Sequence, residues 1–122
     1  MELKILHSAD WHLDSPFASF SEEQRSFLRR QQRQLPERIA RVCRREGCDL
    51  VLLAGDIFDG AYTWETMKLL RGALEECGVP VFIAPGNHDY YGPGSPWVEE
   101  LWPENVHIFS GGLSWVDLPE RN

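Results

Sequence analysis

The feature that most narrows the fold is the run Leu50-Val51-Leu52-Leu53-Ala54, apolar at every position and stopped by Gly55. A half-exposed strand or an amphipathic helix would interrupt such a run with polar residues. Its shortness and continuity therefore read as a central strand of a parallel sheet, covered on both faces. Parallel strands need long crossovers, and helix patterns flank the run on both sides. Upstream, Ser21-Glu22-Glu23-Gln24 has the form of a capping box: Ser21 accepts from a free backbone N–H and Gln24 reaches back. Pro36, which lacks an N–H, should kink that helix or open a second one. Ile39, Val42 and Cys43 then mark a buried stripe that Gly47 ends. Downstream, Thr63 caps a helix with Met67, Leu70, Ala73, Leu74 and Cys77 at helical spacing, closed by Gly78 and Pro80.

Two further strands complete the pattern. Leu3 to His7 is rich in branched apolar residues and reads as a first strand buried on both faces, and Val81 to Ala84 as a third. Residues 85–96 form a Gly/Pro-rich loop and 97–102 a short helix. Val106 to Phe109 and Leu113 to Val116 read as strands around Gly111-Gly112, a short hairpin-like ending. The expected fold is α/β, a parallel βαβαβ arrangement with right-handed crossovers. Every loop that follows a strand then emerges at one carboxyl edge, where open α/β sheets bind ligands.

Those loops carry Asp10-Trp11-His12, Gly55-Asp56-Ile57-Phe58-Asp59 and Gly86-Asn87-His88-Asp89. In Asp10-x-His12, a carboxylate and an imidazole point the same way from an extended backbone, a donor pair suited to a divalent ion. Gly55 allows a sharp exit that leaves Asp56 at the tip, its two oxygens free to serve different ions. Asn87 can ligate through its carbonyl oxygen without adding charge, and His88 beside it can transfer a proton. Taken singly, each motif is more often turn chemistry or a cap. Their order, each directly after a strand, is what gives them weight.

Composition limits the alternatives. With 122 residues and 43% apolar content, the chain can build one core. Its longest apolar stretches are too short to span a bilayer, and Met1-Glu2-Leu3-Lys4 shows no signal-peptide pattern, so a cytoplasmic location is expected. Cys43, Cys48 and Cys77 are odd in number and lack CxxC spacing, which favours buried thiols over disulfides or a cysteine zinc site. The formal charge of −7 opposes nonspecific attraction to nucleic acid, yet it is unevenly spread. Eight of ten arginines lie between Arg25 and Arg45; against four glutamates they give segment 21–46 a charge of +4 and leave −11 for the rest. Arg25, Arg29 and Arg33, with Arg30, Arg38, Arg41 and Arg45, form a basic helical surface. It reads first as a solvated face, with DNA backbone or an acidic partner subunit as the alternative. Trp11, Tyr90 and Tyr91 are expected to pack at the sheet edge rather than stack on bases.

The three motifs together resemble those of the calcineurin-like metallophosphoesterases, over residues 3 to about 110. The stretch from Ile5 to Phe17, ILHSADWHLDSPF, is similar to the DNA-repair exonuclease branch, the SbcD-like nuclease subunits. The resemblance implies metal-dependent phosphodiester hydrolysis on DNA, two divalent ions with Mn²⁺ favoured over Fe²⁺, Zn²⁺ or Mg²⁺, and an SMC-like ATPase partner. It implies that Asp10 and His12 hold one ion, that Asp56 bridges to the second, that Asn87 binds the second, and that His88 is the general acid. Asp59 is the expected carboxylate partner of His88, with Asp89 as second choice, while His7 is expected behind the site rather than among the ligands. Family members finish the site with a further histidine and a Gly-His-x-His motif. Here His107 is the only later histidine, and it lies in a strand-like segment.

The chain is accordingly expected to be the N-terminal portion, residues 1–122, of one such domain, half of an α/β sandwich with an incomplete metal site and little activity of its own. An apolar sheet edge left by such a half-fold predicts self-association. The same motifs also admit a phosphoesterase for cyclic nucleotides, small diesters or phosphoproteins, and a noncatalytic scaffold of the same fold.

Overall fold

The computed structural model describes residues 2–111 and 114–118. Its elements run β1 (Ile5–Ser8), α1 (Glu22–Arg33), α2 (Leu35–Glu46), β2 (Leu50–Ala54), α3 (Trp64–Glu76), β3 (Val81–Ala84), α4 (Pro96–Glu99) and β4 (Val106–Ile108). The four strands form one sheet in the order β1-β2-β3-β4, with every neighbouring pair parallel.

Local chemistry sets the helix boundaries. Ser21 Oγ accepts the Gln24 N–H at 3.2 Å and Gln24 Oε1 accepts the Ser21 N–H at 3.0 Å, closing the capping box that starts α1. Pro36, in the first turn of α2, needs no N–H acceptor there and is buried. Gly47 ends α2 at φ 62°, a left-handed cap that glycine adopts without a Cβ penalty. Thr63 Oγ1 accepts the Thr66 N–H at 3.2 Å and starts α3.

Because the strands follow one another in a single direction, right-handed crossovers place their helices on one face, and α2 and α3 pack together there. In register, Leu6, Val51, Val81 and Val106 form one row and Leu53, Ile83 and Ile108 the next. These rows meet Ala40, Cys43, Met67, Leu70, Ala73 and Leu74 in the core cluster. Met67, Leu70, Ala73, Leu74 and Cys77 are all buried, as their spacing predicts. The three cysteines are free and buried.

Two expectations are corrected. β1 is not covered on both faces: it lies at the end of the sheet order, Ile5 is 46% exposed, and the alternation that turns Leu6 inward turns His7 out. His7 therefore shares the opposite sheet face with Leu52, Phe82 and His107, in register across all four strands, and is exposed there rather than buried in the core. β4 is not the first arm of a hairpin but a fourth parallel strand. Asn105 secures it by accepting the Val81 N–H on its carbonyl and by donating from its side chain to the carbonyls of Leu74 and Val79. Of the expected strand 113–116, Leu113 lies outside the described residues, and 114–116 carry no strand. Among the described residues, no helix is long and apolar enough to cross a membrane.

Candidate metal centre

Beyond their last paired residues, β1 and β2 remain joined through their loops. The N–H groups of Asp10, His12 and Leu13 donate to the carbonyls of Gly55, Asp56 and Ile57 at 3.0, 3.0 and 2.8 Å, and the Asp59 N–H returns to the Leu13 carbonyl at 3.0 Å. The backbone in this ladder is not extended at the functional positions. Asp10, His12, Asp14 and Asp56 have φ of 57°, 51°, 63° and 51°. Left-handed backbone costs an L-residue about 1–2 kcal/mol, and such strain gathers where side chains must be aimed at a function.

The result is two overlapping donor groups. Asp10, His12 and Asp56 offer ligand atoms within 4.8 Å of one another, and so do His12, Asp59 and His88, with His12 common to both. His12 Nδ1 lies 3.0 Å from Asp59 Oδ1. With the proton on Nδ1 donated to Asp59, Nε2 keeps a lone pair for a cation, the usual way a carboxylate orients a ligating histidine. His88 Nδ1 lies 3.4 Å from Asp56 Oδ1, and the His12 and His88 rings meet edge-on, centroids 5.2 Å apart. The carboxylate hydrogen-bonded to an imidazole here is thus Asp59 on His12, whereas the one facing the His88 ring is Asp56.

The β3 loop is locked to the β2 loop by Asp89. This carboxylate is 2% exposed and accepts backbone N–H groups from Asp56, Ile57, Phe58 and Gly86 at 3.1, 2.8, 3.1 and 2.7 Å. Asp89 is consequently an anchor turned away from His88, and not its acid partner. Trp97 Nε1 donates to the Asp89 carbonyl and so fixes the far side of the same loop. Asp56 Oδ1 in turn accepts the His88 N–H at 2.8 Å. That N–H is the main reason the Asp56 carboxyl is held below its usual range; burial opposes the effect, and the His88 and His12 rings reinforce it.

Of the residues expected at the site, the structure gathers Asp10, His12, Asp56, Asp59 and His88. It places Asn87, exposed, between Gly86 and His88 on the same loop. Trp11 is buried, its Nε1 donating to Ser8 Oγ at 2.7 Å. Tyr90 and Tyr91 are exposed instead of packed, because the loop turns outward after Asp89 enters the core. Two supporting residues escape a reading by motif. Gln32 on α1 donates from Nε2 to the carbonyls of Trp11 and His12, at 3.0 and 2.6 Å. Asp14 accepts the Thr63 N–H at 2.7 Å and the Thr66 hydroxyl at 2.8 Å, coupling the first loop to the start of α3. Asp14 had a signal, as the third polar member of the alternation Asp10, His12, Asp14; Gln32 had none.

Carboxylate oxygens with imidazole nitrogens, converging within one ligand sphere on a solvent-open edge, fit divalent first-row ions. The chain belongs to the calcineurin-like phosphoesterase family, whose pattern it matches over residues 3–120. Members of that family bind divalent metals.

Among curated proteins, the chain is 37% identical over 119 residues to a Bacillus subtilis protein described as uncharacterized metallophosphoesterase YhaO, covering 92% of this chain and 29% of that one. It is 31% identical over 105 residues to the D subunit of nuclease SbcCD from Staphylococcus epidermidis, covering 80% of this chain and 26% of the relative. It is also 32% identical over 95 residues to the corresponding SbcCD nuclease protein of Rhodobacter capsulatus, covering 71% and 22%. The chain spans less than a third of the length of these relatives.

Proposed function

We propose that this chain contributes the Asp/His half of a metal-dependent phosphodiesterase centre that acts on DNA as part of a nuclease. The observation that carries the reading is the pair of donor groups sharing His12 at the carboxyl edge of the sheet, Asp10, His12 and Asp56 in one and His12, Asp59 and His88 in the other. In this reading Asp10 and His12 hold one divalent ion, Asp56 bridges, Asn87 serves the second, and Mn²⁺ is the favoured ion. Bound there, such ions supply Lewis-acid activation of water and neutralise charge on the phosphate.

The chain's own groups do the rest. Asp59 holds the His12 ring in one tautomer. Asp89, through the N–H groups of Asp56, Ile57 and Phe58, and Gly86, through its close approach to Asp56, keep the two ligand loops in contact. His88, exposed at the rim, donates a proton to the departing alcohol oxygen as its bond to phosphorus breaks. The choice of DNA rests on the similarity to the SbcCD proteins, which are named as components of a nuclease, and on the basic surface of α1 and α2. The same similarity supports action with a partner protein.

Metal titration of the chain tests the reading first. After chelation, Mn²⁺ followed by electron paramagnetic resonance should bind, and Asp56→Asn should weaken binding at least tenfold. The complete protein should then cut linear DNA only when Mn²⁺ is restored. A chain that takes up no Mn²⁺, or an Asp56→Asn variant that binds it unchanged, removes the proposal.

A further inference from the structure

The helix α1 is held to the rest of the chain along one side. Gln32 donates to the carbonyls of Trp11 and His12, and Arg29 to that of Pro16, yet no residue of the helix is buried. Its other side is apolar where solvent alone would favour polar residues: Phe27 is 53% exposed, and Phe20, just before the helix, 44%. With Glu23, Gln24, Leu28 and Arg30, these rings line a groove of about 450 Å³. At about 3.6 residues per turn, Phe20, Glu23, Phe27 and Arg30 fall on one stripe, and Arg29 and Gln32 on the other side. Phe17 meets Phe20 edge-on, centroids 6.2 Å apart, so this ring is held in place before a partner arrives.

The order of charges says what fits the groove. The helix opens with Glu22 and Glu23 and closes with Arg30 and Arg33. Neither Glu23 nor Arg30 has an opposite charge three or four residues away in the sequence, the spacing at which a helix pairs its own side chains. A second α1 laid antiparallel in the groove supplies both partners at once. A two-fold axis beside Phe27 sets Glu23 of each copy against Arg30 of the other, brings the two Phe27 rings together, and lays opposed helix dipoles side by side. A nucleic-acid strand would instead meet Glu22 and Glu23 at one end of the same groove.

We infer that the chain forms a symmetric dimer through α1, the occupant of each groove being the α1 of a second copy. Arg29 and Gln32 face away from the contact, so pairing leaves the His12 loop of each copy uncovered. The pairing requires no metal and stands apart from the nuclease reading. A helix of 12 residues is about 18 Å long. A contact of that length falls short of the roughly 1,200 Å² of a standard interface, so the dimer is reversible.

Sedimentation velocity of the chain in EDTA, from about 5 µM to about 1 mM, should show the mean mass rising from one copy toward two. Phe27→Glu should keep the helical circular dichroism, because it removes no core contact, and should stay monomeric throughout. Glu23→Arg and Arg30→Glu should each weaken self-association at least about tenfold, since like charges then oppose one another across the axis. An equimolar mixture of these two variants should associate again, because arginines on one copy then face glutamates on the other. A chain that is monomeric over the whole range, or single variants that fail to recover on mixing, would overturn the inference. So would a dimer that persists unchanged in Phe27→Glu, which would move the contact to another surface such as the exposed edge of β1.

Discussion

A Cβ on Gly86 would stand 2.5 Å from Asp56 Oδ1 and 2.6 Å from the Asp56 backbone nitrogen. The β3 loop can therefore press against the Asp56 carboxylate only because residue 86 has no side chain. In Gly86→Ala, Asp56 must move or the loops must part, and Mn²⁺ affinity should fall ten- to a hundredfold while the helical circular dichroism is kept. Wild-type affinity measured by calorimetry would show that the close approach has no part in aiming Asp56.

Asp89 binds the same two loops by charge. Its buried carboxylate accepts four backbone N–H groups, and an amide in its place offers one acceptor oxygen and puts an NH₂ against donors. Asp89→Asn should lower the unfolding free energy by about 3 kcal/mol, since hydrogen bonds to charged groups are worth about 1.5–3 kcal/mol each. Urea denaturation reads this directly, and a loss below about 1 kcal/mol would contradict the anchoring role.

Gln32 acts on the site from a helix that contributes no ligand. Its amide spans the carbonyls of Trp11 and His12 and helps hold a left-handed backbone that is costly when unsupported. Gln32→Ala should weaken Mn²⁺ binding about tenfold and leave urea stability within about 1 kcal/mol of wild type. Equal losses in both measurements would make Gln32 a plain structural residue.

These residues mark where reading the sequence succeeded and where it stopped. Strand and helix order, the Ser21 and Thr63 caps and the Gly47 terminus follow from local chemistry that acts within a few residues, so their patterns were legible. The carboxyl-edge loops were legible too, because a polar cluster directly after an apolar strand falls where parallel sheets bind their ligands. Partner choice was not. Asp59 pairs with His12 and Asp89 points inward because the loops leave their strands through left-handed turns at Asp10, His12 and Asp56, which non-glycine residues rarely adopt and no spacing rule anticipates. The exposed face of β1 was hidden by its composition: Leu3 to His7 is apolar enough to pass for a central strand, and only the sheet order puts it at an edge.

The thiols predict a dependence on alkaline pH. Burial raises the Cys43 thiol, and Cys77 is pushed up to about 12, mainly by burial. A group with a raised folded-state value keeps its proton where the unfolded chain has lost it. Its contribution to stability is thus whole below about pH 9 and declines as pH rises from there toward about 12. Thermal unfolding should fall over that window, less steeply in Cys77→Ala, and at pH 8 the native thiols should resist an aromatic disulfide reagent until denaturant is added. Rapid labelling of all three native thiols would refute their burial.

The arginines of α1 decide whether DNA backbone runs along this helix. Arg29 donates to the Pro16 carbonyl at 3.4 Å and Arg33 reaches Glu65 at 3.9 Å across an exposed gap, so neither is tied up in a buried pair. They flank Gln32, which touches the loop of His12. Each phosphate neutralised adds about 0.9 to the slope of log affinity against log salt for duplex DNA. The double substitution Arg29→Ala and Arg33→Ala in the complete protein should therefore weaken DNA binding and flatten that slope by about 2, with Mn²⁺ affinity unchanged. A slope that stays the same would assign these arginines to solvent and require the DNA to approach from another direction.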